Sequence, residues 1–181
     1  MTGVQTCALP ISWKIILADT GEESLTGTRL RRIQKYLTPG EAFCMTYGDG
    51  VGDIDIRGAI SAHAAGVASG QRIATVTVAR PEARFGAVEL SGDMATAFVE
   101  KPKGDGGWIN AGFFVLETEV FDHIPQEDVM WEEGPIKGLA LQGKLGVWKH
   151  ESFWKPMDTL RDKTLLEELW SSGKAPWKVW K

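Results

Sequence analysis

The sequence predicts an α/β fold with a largely parallel sheet and a ligand site at the ends of its strands. The chain has 181 residues, of which 43% are hydrophobic, so it is long enough for one sizeable core and short for two. Strand-like runs alternate with stretches of helical spacing, the order found in sheets that are covered by helices. The run at 73–79 (IATVTVA) is rich in β-branched residues and is the clearest strand.

Helices are predicted where apolar residues recur at spacings of three and four. Residues 25–37 place Leu30, Ile33 and Leu37 on one face, and the Pro39-Gly40 pair ends the helix. The other predicted helices are 55–68, with Ile60 and Ala64 on the inner face, 132–142, and 160–170, with Leu166, Leu169 and Trp170 on one face.

Strands are predicted where short apolar or β-branched runs stand between turn signals. Residues 86–90 and 95–100 flank the turn-forming triplet 91–93 (SGD), an arrangement typical of a hairpin. Because strands separated by helices favour parallel pairing, ligands are expected at the carboxyl ends of the strands. The remaining predicted strands are 14–18, 42–46, 73–79, 108–116 and 145–150.

The composition argues against several classes of partner. The net charge is −4, and acidic and basic residues are interspersed rather than grouped, so no face suited to nucleic acid is predicted. No apolar run approaches the roughly 20 residues of a membrane helix, and the start lacks the layout of a secretory signal. We therefore expect a cytoplasmic protein without nucleic-acid or membrane partners.

The amino-terminal stretch and the two cysteines carry little functional signal. Residues 1–12 have no charge and no clear period, and we interpret them as a leader, either disordered or an artefact, ahead of a domain at 13–181. Cys7 lies in that stretch and Cys44 in an apolar run, so no disulfide framework is predicted. Cys44 is expected to be a small buried hydrophobe.

Two aspartates are candidate metal ligands. Asp49 lies in the loop 47–50 (YGDG), where a buried strand ends and flanking glycines allow a ligand to approach. Mg²⁺ is commonly held by one or two carboxylates together with substrate phosphates, so a second acid is expected. Asp158, in the corner 154–159 (WKPMDT), is our candidate. The alternative is that Asp49 forms a turn and Asp158 caps a helix.

Two further pairs are candidates for contact with a phosphorylated ligand. Lys101 and Glu100 place a compact cation and an oxygen acceptor side by side, the types that a phosphate dianion and neighbouring hydroxyls need. Asn110 offers an amide to a hydroxyl, and Gly112 lets backbone approach closely. The alternatives are a solvated charged loop at 100–103 and an amide that merely closes a turn.

Other sequence patterns give little evidence of a functional site. Residues 27–30 (GTRL) resemble the last residues of a glycine-rich phosphate-binding loop, but Leu25 stands where that loop needs glycine. The Asp53-Ile54-Asp55 triplet spells the Asp-x-Asp of metal-dependent glycosyltransferases, a pattern that arises often by chance. The three histidines lack metal-ligand spacing, and neither a Gly-x-Ser-x-Gly elbow nor a Walker loop occurs, so hydrolase and P-loop interpretations have no support.

Taken together, seven motifs resemble those of the glucose-1-phosphate cytidylyltransferases, a family of sugar nucleotidyltransferases. They keep the family's order and spacing from Trp13 to the end of the chain. The motifs are 20–32, 46–51, 84–87, 100–106, 108–110, 153–159 and 174–180.

The resemblance implies a fold and a reaction. The fold would be a Rossmann-like nucleotidyltransferase of the GT-A-like kind, a three-layer α/β sandwich with a mixed, mostly parallel sheet that is incomplete at its amino terminus. The reaction would join CTP and α-D-glucose 1-phosphate into CDP-glucose and pyrophosphate, with Mg²⁺ as cofactor. A homo-oligomer is also expected.

The resemblance also assigns residues. Asp49 and Asp158 would hold Mg²⁺, Lys101 would contact the sugar phosphate, and Glu100 would lie near the sugar hydroxyls. Thr28 stands where the family has a second glycine beside its triphosphate-facing arginine, here Arg29. The substrate-binding residues so implied are Thr20, Gly21, Arg29, Tyr47, Gly48, Glu100, Asn110 and Gly112.

The family's glycine-rich phosphate loop should precede Trp13, and it is not found there. We therefore expect residues 13–181 to be the carboxyl-terminal part of a nucleotidyltransferase domain, with little or no activity alone. Two other hypotheses remain open. One is a glycosyltransferase of similar fold that binds metal through Asp53 and Asp55. The other is a non-catalytic remnant that binds sugar nucleotide or oligomerises through its tryptophan-rich end.

Overall fold

A computed structural model describes residues 14–81, 87–91, 94–99 and 107–180. Over these residues the chain forms four α-helices and eight strands. The helices are α1 (Thr26–Ile33), α2 (Ile56–Ala68), α3 (Pro135–Leu141) and α4 (Leu160–Ser171). The strands are β1 (Phe43–Thr46), β2 (Gly50–Gly52), β3 (Ala74–Ala79), β4 (Ala87–Ser91), β5 (Met94–Val99), β6 (Ile109–Leu116), β7 (Leu145–His150) and β8 (Trp154–Pro156).

The main sheet is mixed and has the strand order β1-β6-β3-β7. β6 runs antiparallel to both β1 and β3, whereas β7 runs parallel to β3. Three of the four strands therefore point the same way, and the mixed sheet that the family resemblance implies is confirmed. Two of its three pairings are antiparallel, because β6 runs the other way between β1 and β3. The predicted hairpin is also confirmed, because β4 and β5 pair antiparallel.

Helices cover both faces of this sheet, which gives three layers. On one face, alternate residues of β3 and β6 join a core with Leu30 of α1 and Leu139 of α3. Trp131, which is 1% exposed, closes that core. The spacing of Leu30, Ile33 and Leu37 correctly predicts which residues face the core, since Leu30 is buried and the other two pack against it. The helix itself ends earlier than predicted: α1 ends at Ile33, and a 3-10 turn at Gln34–Tyr36 leads to Leu37.

On the other face, α2 lies over the sheet with a buried histidine. His63 is 1% exposed, and its ring nitrogens lie 2.9 Å from Thr75 Oγ1 and 3.0 Å from Glu117 Oε1. Asp55 caps α2 by accepting a hydrogen bond from the Gly58 amide. The predicted inner face of α2 is wrong: Ile60 is 41% exposed, and the face that packs on the sheet is set by the polar contacts of His63.

Three other predictions fail. Residues 14–18 form no strand, and their apolar side chains are exposed, Leu17 by 95%. A strand requires a partner to satisfy its backbone groups, and no described strand pairs with this stretch. Trp170 of α4 is half exposed, unlike Leu166. Cys44 is exposed, because alternation along β1 turns Phe43 and Met45 toward the core instead.

Along the described residues, no helix combines the length and the apolar character that crossing a membrane requires.

Candidate functional site

One edge of the sheet gathers most of the predicted site residues. The carboxyl ends of β1, β3 and β7 lie at this edge because those strands point the same way. The antiparallel β6 begins there, so Asn110 lies opposite Val78, near the end of β3. Tyr47, Gly48 and Asp49 follow β1 at the same edge. This is the edge at which open α/β sheets bind ligands.

A two-stranded ribbon brings Asp49 and Asp158 to neighbouring positions. β2 pairs antiparallel with β8, with Gly50 opposite Pro156. Beyond that pair, the Met157 amide donates a hydrogen bond to the Asp49 carbonyl oxygen at 2.8 Å. Asp158 is the next residue, and both aspartates are exposed. The two predicted metal ligands, 109 positions apart in sequence (158 minus 49), are thus adjacent in the fold.

Asp158 is not the cap of the following helix. Thr159 caps α4, accepting from the Asp162 amide while the Asp162 carboxylate accepts from Thr159 in return. Lys155 of β8 lies 3.0 Å from Asp162 Oδ1, which ties the ribbon to α4. The Thr159 hydroxyl, and after it Lys155, lower the pKa of Asp162 to about 2. The alternative role for Asp158 as a helix cap is therefore wrong.

A tryptophan anchors the ribbon to the main sheet. Trp154 Nε1 donates to the Ala111 carbonyl oxygen of β6 at 2.9 Å. Gly50 lies beneath its indole, and a Cβ there would stand 3.3 Å from the Ala111 carbonyl oxygen and 3.5 Å from Trp154 Nε1. Trp154 lies in the motif 153–159, but its role could not be predicted, since nothing in the sequence shows which acceptor an indole N–H binds.

Tyr47 is held on three sides. Its amide donates to the Gly112 carbonyl oxygen at 2.9 Å, and its ring lies 5.6 Å from that of Phe114. Gly112 has φ +78°, and a Cβ there would be 2.8 Å from Tyr47 Cδ2. Asn110 accepts a hydrogen bond from the Gly112 amide at 2.8 Å, so its amide does close a local turn. Gly48, by contrast, is exposed with open space around it.

Glu132, which is not among the predicted site residues, connects the loop at Tyr47 to α1. Glu132 accepts a hydrogen bond from the Tyr47 hydroxyl with one carboxylate oxygen and one from Thr26 Oγ1, at 2.8 Å, with the other. Burial, and next the carboxylate of Glu132, raise the pKa of Tyr47, so the hydroxyl stays protonated as a donor. Glu132 was predicted only as the first residue of a helix, which in fact begins at Pro135.

Arg29 stabilises the turn that holds Thr20 and Gly21. Its guanidinium donates to Thr20 Oγ1 at 3.0 Å and to the Glu22 carbonyl oxygen at 2.7 Å. Gly21 has φ +84°, a conformation that favours glycine. Thr28, on the same helix, is 2% exposed and accepts from the Val129 amide at 3.3 Å. The three predicted residues of this turn are therefore brought together.

An open cleft of about 400 Å³ lies beside that turn. Its arginines are already engaged: Arg31 donates to the carbonyl oxygens of Pro125 and Gln126, and Arg32 donates to Ser24 Oγ and the Thr20 carbonyl oxygen. Asp128 also lines it. The hydroxyl of Thr28 and the amide of Leu25 lower the pKa of Asp128. The cleft is thus polar and of mixed charge.

Four other predicted residues do not join this site in the described part of the chain. Glu100 and Lys101 lie outside the described residues. Asp53 and Asp55, the ligands of the alternative glycosyltransferase site, have structural partners instead: Asp53 accepts from Ser152 Oγ at 2.6 Å, and Asp55 caps α2. Within the described ranges, no group of three or more His, Cys, Asp or Glu side chains is placed to hold a metal ion.

A family model described as nucleotidyl transferase matches residues 11–138. Glucose-1-phosphate cytidylyltransferase of Salmonella typhi is 50% identical over 168 residues, which cover 93% of this chain and 64% of that protein. A probable glucose-1-phosphate cytidylyltransferase of Bacillus subtilis is 38% identical over 178 residues, 98% of this chain and 68% of its own length. The chain thus spans about two thirds of the length of these relatives.

Solved structures with low sequence identity share the fold. HddC from Yersinia pseudotuberculosis matches 82% of this chain and 64% of its own, with a TM-score of 0.60 at 18% identity. The inositol-1-phosphate CTP transferase from T. maritima matches 87% of this chain and 64% of its own, with a TM-score of 0.54 at 15% identity. These likenesses confirm the Rossmann-like, three-layer fold that was expected from the sequence.

Proposed function

We propose that this protein transfers CMP from CTP to α-D-glucose 1-phosphate, because the chain belongs to the nucleotidyl transferase family and, within it, to the glucose-1-phosphate cytidylyltransferases. The products are CDP-glucose and pyrophosphate. The observation that carries the proposal is the 50% identity to the Salmonella typhi enzyme over 93% of this chain. The geometry at the sheet edge supports it, because the predicted ligand positions of β1, β6 and the ribbon converge there.

In the proposed reaction, a phosphate oxygen of glucose 1-phosphate forms a bond to the α-phosphorus of CTP. The bond from that phosphorus to the oxygen that bridges it to the β-phosphorus breaks, and pyrophosphate leaves with the electron pair. The nucleophile is already an anion, so no general base has to remove a proton. The chain's part is then to hold the two phosphate groups in line and to exclude unproductive orientations.

Enzymes of this family use a divalent metal, and we propose Mg²⁺ with Asp49 and Asp158 as its protein ligands. The residues fit such an ion: both are carboxylates, both are exposed, and the Met157–Asp49 hydrogen bond places them at adjacent positions. Mg²⁺ usually takes only one or two carboxylates from a protein and the rest of its oxygens from phosphates and water. When bound, the ion would neutralise charge that develops on the phosphates.

Other predicted site residues would support the bound substrates. Arg29 would organise the turn at Thr20 and Gly21 beside the nucleotide, since its guanidinium is bonded to that turn. Asn110 and Gly112 would shape the surface under the sugar by holding Tyr47 in place. The roles of Lys101 with the sugar phosphate and of Glu100 with its hydroxyls rest on the family resemblance.

The test is pyrophosphate release from CTP, glucose 1-phosphate and Mg²⁺. It is run on this chain and on a longer version that carries the amino-terminal segment of the Salmonella typhi relative. Activity in the longer version that requires both substrates, and that is weaker with UTP or dTTP, supports the proposal. If both proteins are folded and neither releases pyrophosphate, the cytidylyltransferase assignment is wrong for this protein.

A further inference from the structure

Glu132 lies between two segments that the proposed function uses and that are far apart in sequence. One carboxylate oxygen accepts from the hydroxyl of Tyr47, 85 positions away, and the other accepts from the hydroxyl of Thr26, 106 positions away. Tyr47 precedes Asp49 by two residues, and Thr26 is the first residue of the helix that carries Arg29. One side chain therefore joins the Asp49 loop to the Arg29 helix.

The backbone around Glu132 is itself rigidly placed. The Trp131 amide donates to Thr26 Oγ1 at 2.9 Å, and the Gly27 amide donates to the Val129 carbonyl oxygen at 2.9 Å. The Trp131 indole is 1% exposed and meets the Phe114 ring edge-on at 6.2 Å between centroids. Because the residues beside Glu132 are fixed against the core, the Glu132 carboxylate holds its two partners, Tyr47 and Thr26, in fixed positions.

The loop after β1 is held at its two ends by different partners: the Tyr47 hydroxyl donates to Glu132, and the Asp49 carbonyl oxygen accepts from the Met157 amide. Gly48 has no neighbour within 4 Å of where a Cβ would lie, so nothing packs against the loop at that point. The main chain of Tyr47 makes two hydrogen bonds: its amide donates to the Gly112 carbonyl oxygen, and its carbonyl oxygen accepts from Thr46 Oγ1 at 3.1 Å. The hydroxyl of Tyr47 donates to a charged acceptor, and such hydrogen bonds are about twice as strong as neutral ones.

We propose that Glu132 is a positioning residue that fixes the Asp49 loop relative to the Arg29 helix. The proposal rests on the function proposed above for Asp49 and Arg29. It assigns Glu132 no contact with substrate; its effect passes through Tyr47 and Thr26.

The first experiment measures amide hydrogen exchange by mass spectrometry on this chain and does not depend on enzymatic activity. In Glu132→Ala, peptides over 44–52 and 20–30 should exchange at least about tenfold faster than in the wild type, while α2, on the opposite face, is unchanged. Tyr47→Phe should loosen 44–52 and not 20–30. Thr26→Val also removes the acceptor of the Trp131 amide, so it should loosen 20–30 and 129–132 and leave 44–52 protected. Glu133→Ala is the matched control, because Glu133 is the exposed neighbour with the same charge.

Glu132→Gln tests rescue and covers the possibility that Glu132→Ala does not fold. Its amide oxygen still accepts from Tyr47, whereas its amide nitrogen would have to donate to Thr26 Oγ1, so protection at 44–52 should be largely restored. The proposal is overturned if exchange in Glu132→Ala or Tyr47→Phe rises equally in α2, or if 44–52 keeps its wild-type protection.

The second experiment uses the longer version in the pyrophosphate assay. Glu132→Ala should raise the Mg²⁺ concentration for half-maximal rate by about tenfold, because the Tyr47 end of the Asp49 loop is no longer held, and leave the KM for glucose 1-phosphate within about twofold. A merely structural role would lower the rate without moving the Mg²⁺ dependence, and that result overturns the proposal. An inactive wild type would refute the proposed function alone, and the exchange data would still decide whether Glu132 positions the loop.

Discussion

The Met157 amide donates a hydrogen bond to the carbonyl oxygen of Asp49 at 2.8 Å. This contact continues the register of the β2–β8 ribbon by one pair beyond Gly50 and Pro156. As a result, a loop after the first strand of the sheet and the corner before the last helix of the described chain share one surface. The placement of Asp158 beside Asp49 is a consequence of backbone pairing, so it does not depend on either carboxylate.

Replacing either aspartate should weaken metal binding while leaving the fold intact. We expect Asp49→Asn and Asp158→Asn each to lower the affinity for Mn²⁺, used as a spectroscopic substitute for Mg²⁺, by at least the roughly tenfold that even outer partners of a metal site typically cost. Electron paramagnetic resonance of free Mn²⁺ measures this directly.

Asp53→Asn is the control for the metal experiment. Its carboxylate accepts from Ser152 and lies 3.2 Å from His150 Nε2, so the substitution should lower stability without changing Mn²⁺ affinity. The opposite pattern, in which Asp53→Asn abolishes binding and Asp158→Asn does not, would support the glycosyltransferase-like site instead.

Gly112→Ala should be more destabilising than the same change at Gly143. Both glycines have positive φ, +78° and +69°, which costs an alanine about 1–2 kcal/mol. Only at Gly112 does a new Cβ approach another group, 2.8 Å from Tyr47 Cδ2; at Gly143 nothing lies within 4 Å. Urea unfolding of the two variants measures the difference. Equal losses would mean that Tyr47 moves aside without cost.

Two helical glycines should respond to alanine with opposite signs. At Gly27 of α1, a Cβ would lie 2.8 Å from the Val129 carbonyl oxygen, which is backbone and already bonded to the Gly27 amide, so Gly27→Ala should destabilise. At Gly138 of α3, the space is open, and alanine should stabilise by up to about 1 kcal/mol through helix propensity. Thermal unfolding distinguishes the two. A neutral Gly27→Ala would show that the contact between α1 and residue 129 is loose.

Asp162→Asn should make the free energy of unfolding depend less on pH in the acid range. The pKa of Asp162 is lowered from 3.8 to about 2 in the folded chain, so the native state protonates this carboxylate at a lower pH than the unfolded chain does. The carboxylate therefore stabilises the fold above about pH 4, and this contribution disappears as the pH falls toward 2. Urea midpoints across that window should converge for wild type and variant at the acid end. Asp122→Asn, at an exposed site, serves as the control.

The sequence predicted most elements because their signals are local. Leu30, Ile33 and Leu37 repeat at helical spacing, and the run at 73–79 has the β-branched composition of a strand, so both are readable without knowledge of the fold. Residues 14–18 show the limit of this logic. Their apolar composition predicts a strand, but a strand also needs a paired neighbour, and composition carries no information about one.

The face that a helix buries is less predictable than the helix. Apolar spacing favoured Ile60 and Ala64 in α2, yet the buried residues are Ala59, His63 and Gly66. The polar His63 can be buried because Thr75 and Glu117 satisfy both of its ring nitrogens. In a hydropathy pattern histidine counts as polar, and the pattern cannot show that the sheet offers hydrogen-bond partners for a buried histidine.

For this protein, the sequence alone determined the class of fold and the family, and it predicted the two aspartates as metal ligands, because each depends on residue type and order. Only the tertiary structure decided how Asp49 and Asp158 meet and that Glu132 joins Tyr47 to Thr26. β2 and β8 have three residues each, too few for a readable period, and hydrogen bonds that span 85 and 106 positions leave no local trace. Such contacts exist only after the core has brought distant segments together.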